Sequence, residues 1–156
     1  MPRSIRVALV QFDASPEAVD DNLEKMRSWV RAAARERARW IVFHEATLCD
    51  YTPDLPRLAQ PVPDGPATRA MIALARETLT FISFGLSEKA GDRFHISQVF
   101  VGPAGYVYHY RKTWLWREPS DEGYRNEWAR YDPGAGPELF TLDGVKATCF
   151  ICADGN

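Results

Sequence analysis

The first part of the chain alternates between apolar runs and one long amphipathic segment. Residues 5–12 form an apolar run, which predicts a strand with apolar side chains on both faces. Ser15 is the expected N-cap of the helix that follows, and Pro16 fits its first position. Apolar residues then recur at steps of four and three, which predicts a helix of roughly five or six turns: Val19, Leu23, Met26, Val30 and Ala33.

The middle of the chain repeats this β-α pattern and then changes to successive strands. Residues 39–45 form a short apolar strand, and a proline-rich loop follows it. Pro66 opens a second helix, and residues 79–89 form a third strand. Two alternating runs on either side of a GPAG turn predict a β-hairpin that ends at Lys112.

A long polar loop over residues 113–136 separates this hairpin from the last two predicted strands. These strands cover residues 137–142 and 145–152 around a DG turn, and Cys152 ends the second of them. The order β-α-β-α followed by several strands predicts an α/β fold, a sheet with helices packed on one face. We expect a single domain over residues 1–156, because this length suits one domain.

Composition is that of an ordinary globular protein, with 46% hydrophobic and 26% charged residues. A net charge of −2 provides no attraction for nucleic acid or an anionic membrane. The N-terminal apolar run lacks signal-peptide features, and no apolar stretch approaches the roughly 18 residues that a membrane span needs. Three cysteines are an odd number without a secreted context. We therefore expect reduced thiols in a cytoplasmic protein.

Several common site motifs are missing from the sequence. Neither a G-x-S-x-G elbow nor a phosphate-binding P-loop occurs. His44, His95 and His109 lack metal-ligand spacing, so we expect no metal and no cofactor. Cys149 and Cys152 spell C-x-x-C, but residues three apart on a strand point to opposite faces. Cys149 is therefore expected in the core, and Cys152 on the other face.

Three polar residues remain at the ends of apolar strands: Glu45, Lys112 and Cys152. The strand ends of a rigid sheet hold catalytic groups in precise positions. Taken singly, each residue is better explained as a polar group placed where a strand meets water.

Taken together, these residues and their neighbours resemble the Glu-Lys-Cys triad of the nitrilase superfamily of carbon–nitrogen hydrolases. RVALVQFDA and DNLEKM resemble the opening strand and helix of that family. IVFHEATLCDY resembles its first catalytic block, with Tyr51 six residues after Glu45. YRKTWLW resembles the lysine block and CFICADGN the cysteine block. The resemblance covers essentially the whole chain, and the order and separation of the blocks also fit.

The resemblance implies a fold and a reaction. The fold is a four-layer α-β-β-α sandwich, of which this chain would hold the first half. The reaction is hydrolysis of an amide or N-carbamoyl substrate through a thioester acyl-enzyme. Cys152 would attack the carbonyl carbon, and Glu45 would act as general base and acid. Lys112 and the backbone N–H of Ala153 would stabilise the oxyanion.

A fourth residue follows from the resemblance. NEWARYDPG resembles a segment of the amidase and carbamoylase branches that carries a second active-site glutamate, which matches Glu127. Its implied role is to orient the substrate nitrogen and to hold Lys112. A solvated loop glutamate is nearly as good an explanation, and Glu118 or Glu122 could be the equivalent residue instead. Tyr51 and Ala153 complete the expected substrate-binding residues.

The sequence departs from the family pattern at three places. His44 stands where proline is usual, and Trp114 stands where histidine is usual. Ala153 and Asp154 follow the cysteine, where true nitrilases typically have Trp-Glu. The last departure favours amide or carbamoyl substrates over nitriles.

Family members continue well beyond the cysteine, into a second half of similar size. Three explanations stay open: a fragment of a longer enzyme, a short protein completed by a partner, or a degenerate relative without activity. We expect either a homo-oligomer or a C-terminal half to cover Val145, Ala147 and Ile151, which would otherwise face water. The alternative function is a catalytically inactive half-domain that acts in self-association or in a larger assembly. The other expected partner is a small-molecule amide or carbamoyl substrate.

Overall fold

The computed structural model describes residues 4–117, 123 and 126–155. Five strands form one sheet in sequence order, and two further strands form a hairpin. The first sheet contains β1 (Val7–Val10), β2 (Trp40–Phe43), β3 (Phe81–Ala90), β4 (Arg93–Gly102) and β5 (Gly105–Arg111). β1, β2 and β3 run parallel, whereas β4 and β5 each pair antiparallel to the strand before. The hairpin consists of β6 (Phe140–Leu142) and β7 (Val145–Ala147).

Two helices cover one face of the five-stranded sheet. They are α1 (Val19–Arg35) and α3 (Pro66–Thr78), and a short helix α2 (Leu55–Leu58) lies in the loop after β2. The apolar stripes of α1 and α3 pack on β2, β3 and β4, because this contact removes the apolar side chains of both layers from water. This confirms the predicted α/β fold. The core of this layer includes Met26, Val30, Met71, Leu74, Ile41, Phe43, Ile82, Phe84 and Val99.

The opposite face of the sheet is covered only in part. The β6–β7 hairpin packs over β4 and β5, where the Phe140 ring lies 4.4 Å from Tyr108 and 4.8 Å from Phe100, centroid to centroid. At the other edge, Val7 and Leu9 of β1 are 44% and 81% exposed. The prediction of a first strand that is apolar on both faces holds for its residue types, but even its helix side, Ala8 and Val10, is only half-buried.

The first helix starts later than the sequence pattern predicted. Ser15 is not its N-cap: the helix begins at Val19 after Ala18, and no side chain caps it. Glu17 has a φ of 63°, so the chain cannot continue as a helix from Ser15. The Asn22 side chain instead binds both the N–H and the C=O of Ser15, at 2.9 and 2.8 Å.

The prediction of a strand over residues 145–152 is wrong in its second half. β7 ends at Ala147, and a 3-10 turn occupies Cys152–Gly155. Cys152 has a φ of 47°, which a strand does not permit. The argument that Cys149 and Cys152 point to opposite faces of one strand therefore has no strand to support it.

Burial of the last segment also differs from expectation. Ile151 was expected to face water, but it is buried in a cluster with Leu55, Ile96 and Tyr110. The loop turns inward after β7, and this brings Ile151 onto the sheet. Val145 and Ala147 are half-buried.

A buried carboxylate ties β3 to β5 on the helix side of the sheet. Glu88 is 1% exposed and accepts hydrogen bonds from Arg111 Nη2 at 2.6 Å, Arg111 Nε at 3.0 Å and Ser97 Oγ at 2.6 Å. Burial alone would raise the pKa of Glu88. The hydrogen bonds from Arg111 and Ser97 outweigh burial, so the pKa is lowered and the carboxylate stays ionised.

Replacement of Glu88 by glutamine should reduce the free energy of unfolding at pH 7 by roughly 1.5–3 kcal/mol, because it removes charge-assisted hydrogen bonds and leaves Arg111 unpaired. The folded-state pKa of Glu88 lies below its unfolded value. The stabilisation is therefore present above the unfolded-state pKa of about 4.3 and is lost as the pH falls through the folded-state value. Urea unfolding at pH 7 and pH 3 measures both effects.

The matched control is Glu77→Gln, because Glu77 forms an exposed ion pair with Arg31. This variant should change stability far less. An equal loss in both variants, or a loss in Glu88→Gln that does not shrink at pH 3, would contradict the assignment.

Candidate active site

Lys112 is the buried charge at the centre of the candidate site. It follows β5 directly, and its side chain is 0% exposed. Its Nζ donates to Glu45 Oε1 at 2.7 Å and to Glu127 Oε1 at 2.9 Å. Burial alone would lower the pKa of Lys112, but the two carboxylates outweigh it and raise the pKa above its ordinary value. The amine is therefore held as an ammonium ion.

The backbone of Lys112 is fixed as firmly as its side chain. Its N–H donates to Ile96 C=O at 2.8 Å, and its C=O accepts the N–H of Gly134 at 2.9 Å. A Cβ at position 134 would lie 2.8 Å from Arg111 Cβ and closer still to its carbonyl oxygen. The loop can approach the end of β5 this closely only because residue 134 is glycine.

Glu45 lies in a tight turn two residues beyond the end of β2. His44 Nδ1 donates to the C=O of Glu45 at 2.8 Å, and the Thr47 hydroxyl binds the C=O of His44. β3 passes directly against this turn at Gly85, where a Cβ would lie 2.8 Å from both Glu45 C and His44 O. The position of Glu45 is therefore set by the neighbouring strand.

Glu127 is buried at the start of a 3-10 turn, Glu127–Ala129, and is 3% exposed. In addition to Lys112, its Oε1 accepts the Tyr51 hydroxyl at 2.6 Å. Its Oε2 accepts the N–H of Trp116 at 2.6 Å. A solvated loop glutamate does not have these contacts. The two alternatives considered from the sequence, Glu118 and Glu122, lie outside the described residues.

Tyr51 is directed at the carboxylates. Burial and the charges of Glu45 and Glu127 raise its pKa far above the ordinary value, so the phenol stays protonated. Its hydroxyl is donated to Glu127. This contact supports Glu127, and the expectation from the resemblance that Tyr51 also binds substrate stays a prediction.

Cys152 lies in the 3-10 turn and is exposed. Its left-handed backbone conformation costs about 1–2 kcal/mol relative to a right-handed one. Such strain persists only where surrounding contacts impose it, and it is concentrated at functional sites. Cys152 and Glu45 line the same cavity of about 390 Å³, between the sheet and the segment after β7. The rest of the lining is largely apolar and includes Trp40, Val42, Phe81, Phe100 and Phe140.

The other two cysteines are less accessible. Cys49 is fully buried and Cys149 is half-buried. Burial raises the pKa of Cys49 and raises the pKa of Cys149 to about 12. Both thiols therefore stay protonated at neutral pH, and the thiolate is the reactive form of cysteine.

Sequence reasoning assigned no role to Asp154, yet its carboxylate links the Cys152 turn to the segment around Lys112. The signal was present: a short acidic side chain in a turn often binds nearby backbone N–H groups. Ala153, expected to contribute its N–H, is buried in the same turn.

Across residues 4–117, 123 and 126–155, no group of three or more His, Cys, Asp and Glu side chains is arranged to hold a metal ion. The histidines make separate contacts; His95 Nδ1, for example, binds the C=O of Asp132 at 2.8 Å. No helix in this part of the chain has the length and apolar character needed to cross a membrane.

Comparison with known proteins gives a consistent answer. Residues 6–156 match the family model described as carbon-nitrogen hydrolase. A nitrilase from Pyrococcus abyssi is 30% identical over 155 residues, which cover 96% of this chain and 56% of that protein. An (R)-stereoselective amidase from Pseudomonas sp. is 26% identical over 152 residues, 96% of this chain and 52% of the amidase.

Solved structures share the fold. A CN-hydrolase superfamily protein from Xanthomonas campestris, with an arsenic adduct in its active site, superposes with a TM-score of 0.85 at 18% identity. The match covers 98% of this chain and 55% of that one. An amidase from Nesterenkonia sp. AN1, with acrylamide added to its active-site cysteine, gives a TM-score of 0.81 at 18% identity, covering 96% and 58%.

The chain thus spans about half the length of the relatives that it matches. The family model covers nearly all of it, which confirms the resemblance drawn from the three sequence blocks. We conclude that this protein belongs to the carbon-nitrogen hydrolase family, within the nitrilase superfamily.

Proposed function

We propose that the complete protein hydrolyses the carbon–nitrogen bond of a small amide or N-carbamoyl substrate through Cys152, Glu45 and Lys112. The observation that carries this proposal is the buried Lys112 ammonium, held between two carboxylates. One of those carboxylates, Glu45, lines the same cavity as Cys152. Acyl transfer by a thiol uses a general base for the thiol proton and a positive charge that stabilises the oxyanion.

The first half of the reaction forms a thioester. Glu45 takes the thiol proton of Cys152, and the thiolate attacks the carbonyl carbon of the substrate. The carbonyl π electrons move onto oxygen, and this oxyanion is stabilised by Lys112 and by the N–H of Ala153. When the intermediate collapses, the C–N bond breaks, and Glu45 returns its proton to the departing nitrogen.

The second half releases the acid. Glu45 takes a proton from water, and the resulting hydroxide attacks the thioester carbonyl. The C–S bond then breaks, and the Cys152 thiolate recovers the proton from Glu45. Glu127 keeps Lys112 charged and in place throughout, and we assign to it the additional role of orienting the substrate nitrogen. Tyr51 and Trp116 hold Glu127 for that task.

Amides or N-carbamoyl compounds are favoured over nitriles as substrates. Ala153 and Asp154 follow the cysteine, as is typical of amidase-like branches. Among the proteins of similar structure, mutants of the Nesterenkonia amidase have been solved in complex with acrylamide and with butyramide. We also propose a cytoplasmic location, because three free cysteines without a disulfide are typical of a reducing compartment.

The second candidate function is that of an inactive half-domain that works in association. The exposed side chains of Val7 and Leu9 favour an association surface, because apolar residues on a sheet face are normally covered. For the enzyme and for the inactive half-domain alike, we propose that residues 1–156 belong to a single domain. Its open sheet face is covered by further polypeptide or by a second copy of the chain.

Replacement of Cys152 by alanine should abolish amide hydrolysis, and Glu45→Gln should lower kcat by about 10²–10⁴-fold, because the thiol then lacks its general base. Ammonia release from butyramide by the full natural chain measures both effects. Cys49→Ala is the control and should retain activity, because Cys49 does not line the cavity that Glu45 and Cys152 share. Turnover that survives in Cys152→Ala would refute the mechanism.

Thiol reactivity distinguishes the enzyme from the inactive half-domain. Cys152 should be alkylated first, because it is exposed, whereas Cys49 and Cys149 are protonated and shielded. Peptide mass mapping after brief iodoacetamide treatment at pH 7 identifies the site. First labelling of Cys149 or Cys49 contradicts the assignment, and three slow thiols favour the inactive alternative.

The isolated 156-residue chain should associate in solution, because water contacts the apolar face of β1. Light scattering measures the mass of the particle, and Leu9→Lys should shift it toward the monomer. The control is Leu79→Lys, since Leu79 is 65% exposed at the end of α3. A stable monomer of 17.7 kDa with a cooperative thermal transition would count against an association surface.

A further inference from the structure

The carboxylate of Asp154 accepts four hydrogen bonds, two on each oxygen. Oδ1 accepts the N–H of Thr113 at 3.1 Å and the N–H of Trp114 at 2.6 Å. Oδ2 accepts the N–H of Ile151 at 3.0 Å and the hydroxyl of Tyr110 at 2.9 Å. Two acceptor positions on each oxygen are the full capacity of a carboxylate.

One of these contacts lies within the nucleophile turn. Ile151 directly precedes Cys152, and its N–H is bound by the Asp154 side chain. The N–H of Asp154 in turn donates to the C=O of Ile151 at 3.0 Å. This reciprocal pair resembles part of a capping box, in which the side chain of the fourth residue accepts the backbone N–H of the first. It closes the turn around Cys152.

The other three contacts lie around the lysine. Tyr110 is two residues before Lys112, and Thr113 and Trp114 are the two residues after it. Their donors converge on Asp154 from the end of β5: the Tyr110 hydroxyl comes from before Lys112, and two backbone N–H groups come from directly after it.

These contacts connect two parts of the chain that lack a common element. Cys152 lies outside any strand, so no ladder of backbone hydrogen bonds joins its turn to β5. The strained backbone of Cys152 also requires contacts that hold it in place. The buried side chain of Ile151 anchors the turn to the core in a cluster that includes Tyr110 and Leu115, and the Asp154 carboxylate adds directional hydrogen bonds to this apolar packing.

We propose that Asp154 is a positioning residue that sets the Cys152 turn against Lys112, and so places the nucleophile relative to the charge that stabilises the oxyanion. The inference rests on the roles proposed for Cys152 and Lys112. The four bonds to its carboxylate come from three backbone N–H groups and the Tyr110 hydroxyl, so Asp154 acts through neighbouring residues. A carboxylate can accept all four bonds on its two oxygens. An asparagine side chain has one such oxygen, and its NH₂ group is a donor that cannot accept a hydrogen bond.

Asp154→Asn in the full natural chain tests this role. The amide loses at least two of the four bonds, and the turn shifts relative to Lys112. We expect kcat for butyramide to fall about 100-fold, because a small displacement of the reacting groups can reduce the rate by that much. KM should stay within about threefold, because substrate binding is not the step that depends on this contact.

The matched control is Asp143→Asn. Asp143 accepts two hydrogen bonds from Arg39, both at 2.8 Å, in the β6–β7 turn, and neither residue lines the cavity that contains Cys152. Both variants should lower the melting temperature, but only Asp154→Asn should lower kcat. An unchanged kcat in Asp154→Asn, or equal losses of kcat in both variants, overturns the proposal.

Tyr110→Phe keeps the test decisive if Asp154→Asn does not fold. It removes one donor to the carboxylate and preserves the ring, so kcat should fall about three- to tenfold without a change in KM. An unchanged kcat overturns the role of Asp154. Failure of the proposed function looks different: the unmodified chain then releases no ammonia, or Cys152→Ala releases it as fast as the unmodified chain.

Discussion

The buried ammonium of Lys112 is the constraint on which the candidate site depends. A charge without solvent exposure is stable only if opposite charges and hydrogen bonds replace the lost water. Glu45 and Glu127 provide that replacement, and each comes from a different segment of the chain. The end of β5, the turn after β2 and the loop before β6 must therefore meet at one point. Burial of a single amine thus organises three otherwise separate segments.

Much of the fold followed from the hydrophobic pattern, because helices and antiparallel hairpins are local. The helix that begins at Pro66 and the β4–β5 hairpin were predicted correctly. The pattern failed where a tertiary contact overrides local preference. Residues 148–152 have strand-like composition but do not continue β7. Ile151 is buried against the core, and its N–H donates to the Asp154 carboxylate, which closes a turn instead. Asn22 similarly displaces Ser15 from its capping role.

The candidate site was visible in the sequence only where single residues carry recognisable chemistry. Glu45, Lys112 and Cys152 stood out as polar residues that close apolar runs, and motif resemblance implied the roles proposed for them. Glu127 was less distinct, since nothing in a polar loop marks which glutamate is buried. Asp154 was missed because its contacts join residues about forty positions apart, and such convergence becomes visible only in three dimensions.

The close passage of β3 beneath the Glu45 turn has a consequence for motion. At Gly85 the two backbones touch without an intervening side chain, so the turn is seated on a central strand of the sheet. Glu45 should fluctuate with the amplitude of the core, whereas Cys152 lies on a turn held by side-chain contacts. Any change in the separation between Glu45 and Cys152 is therefore expected to come mainly from the Cys152 turn, within the range that the contacts of Asp154 allow.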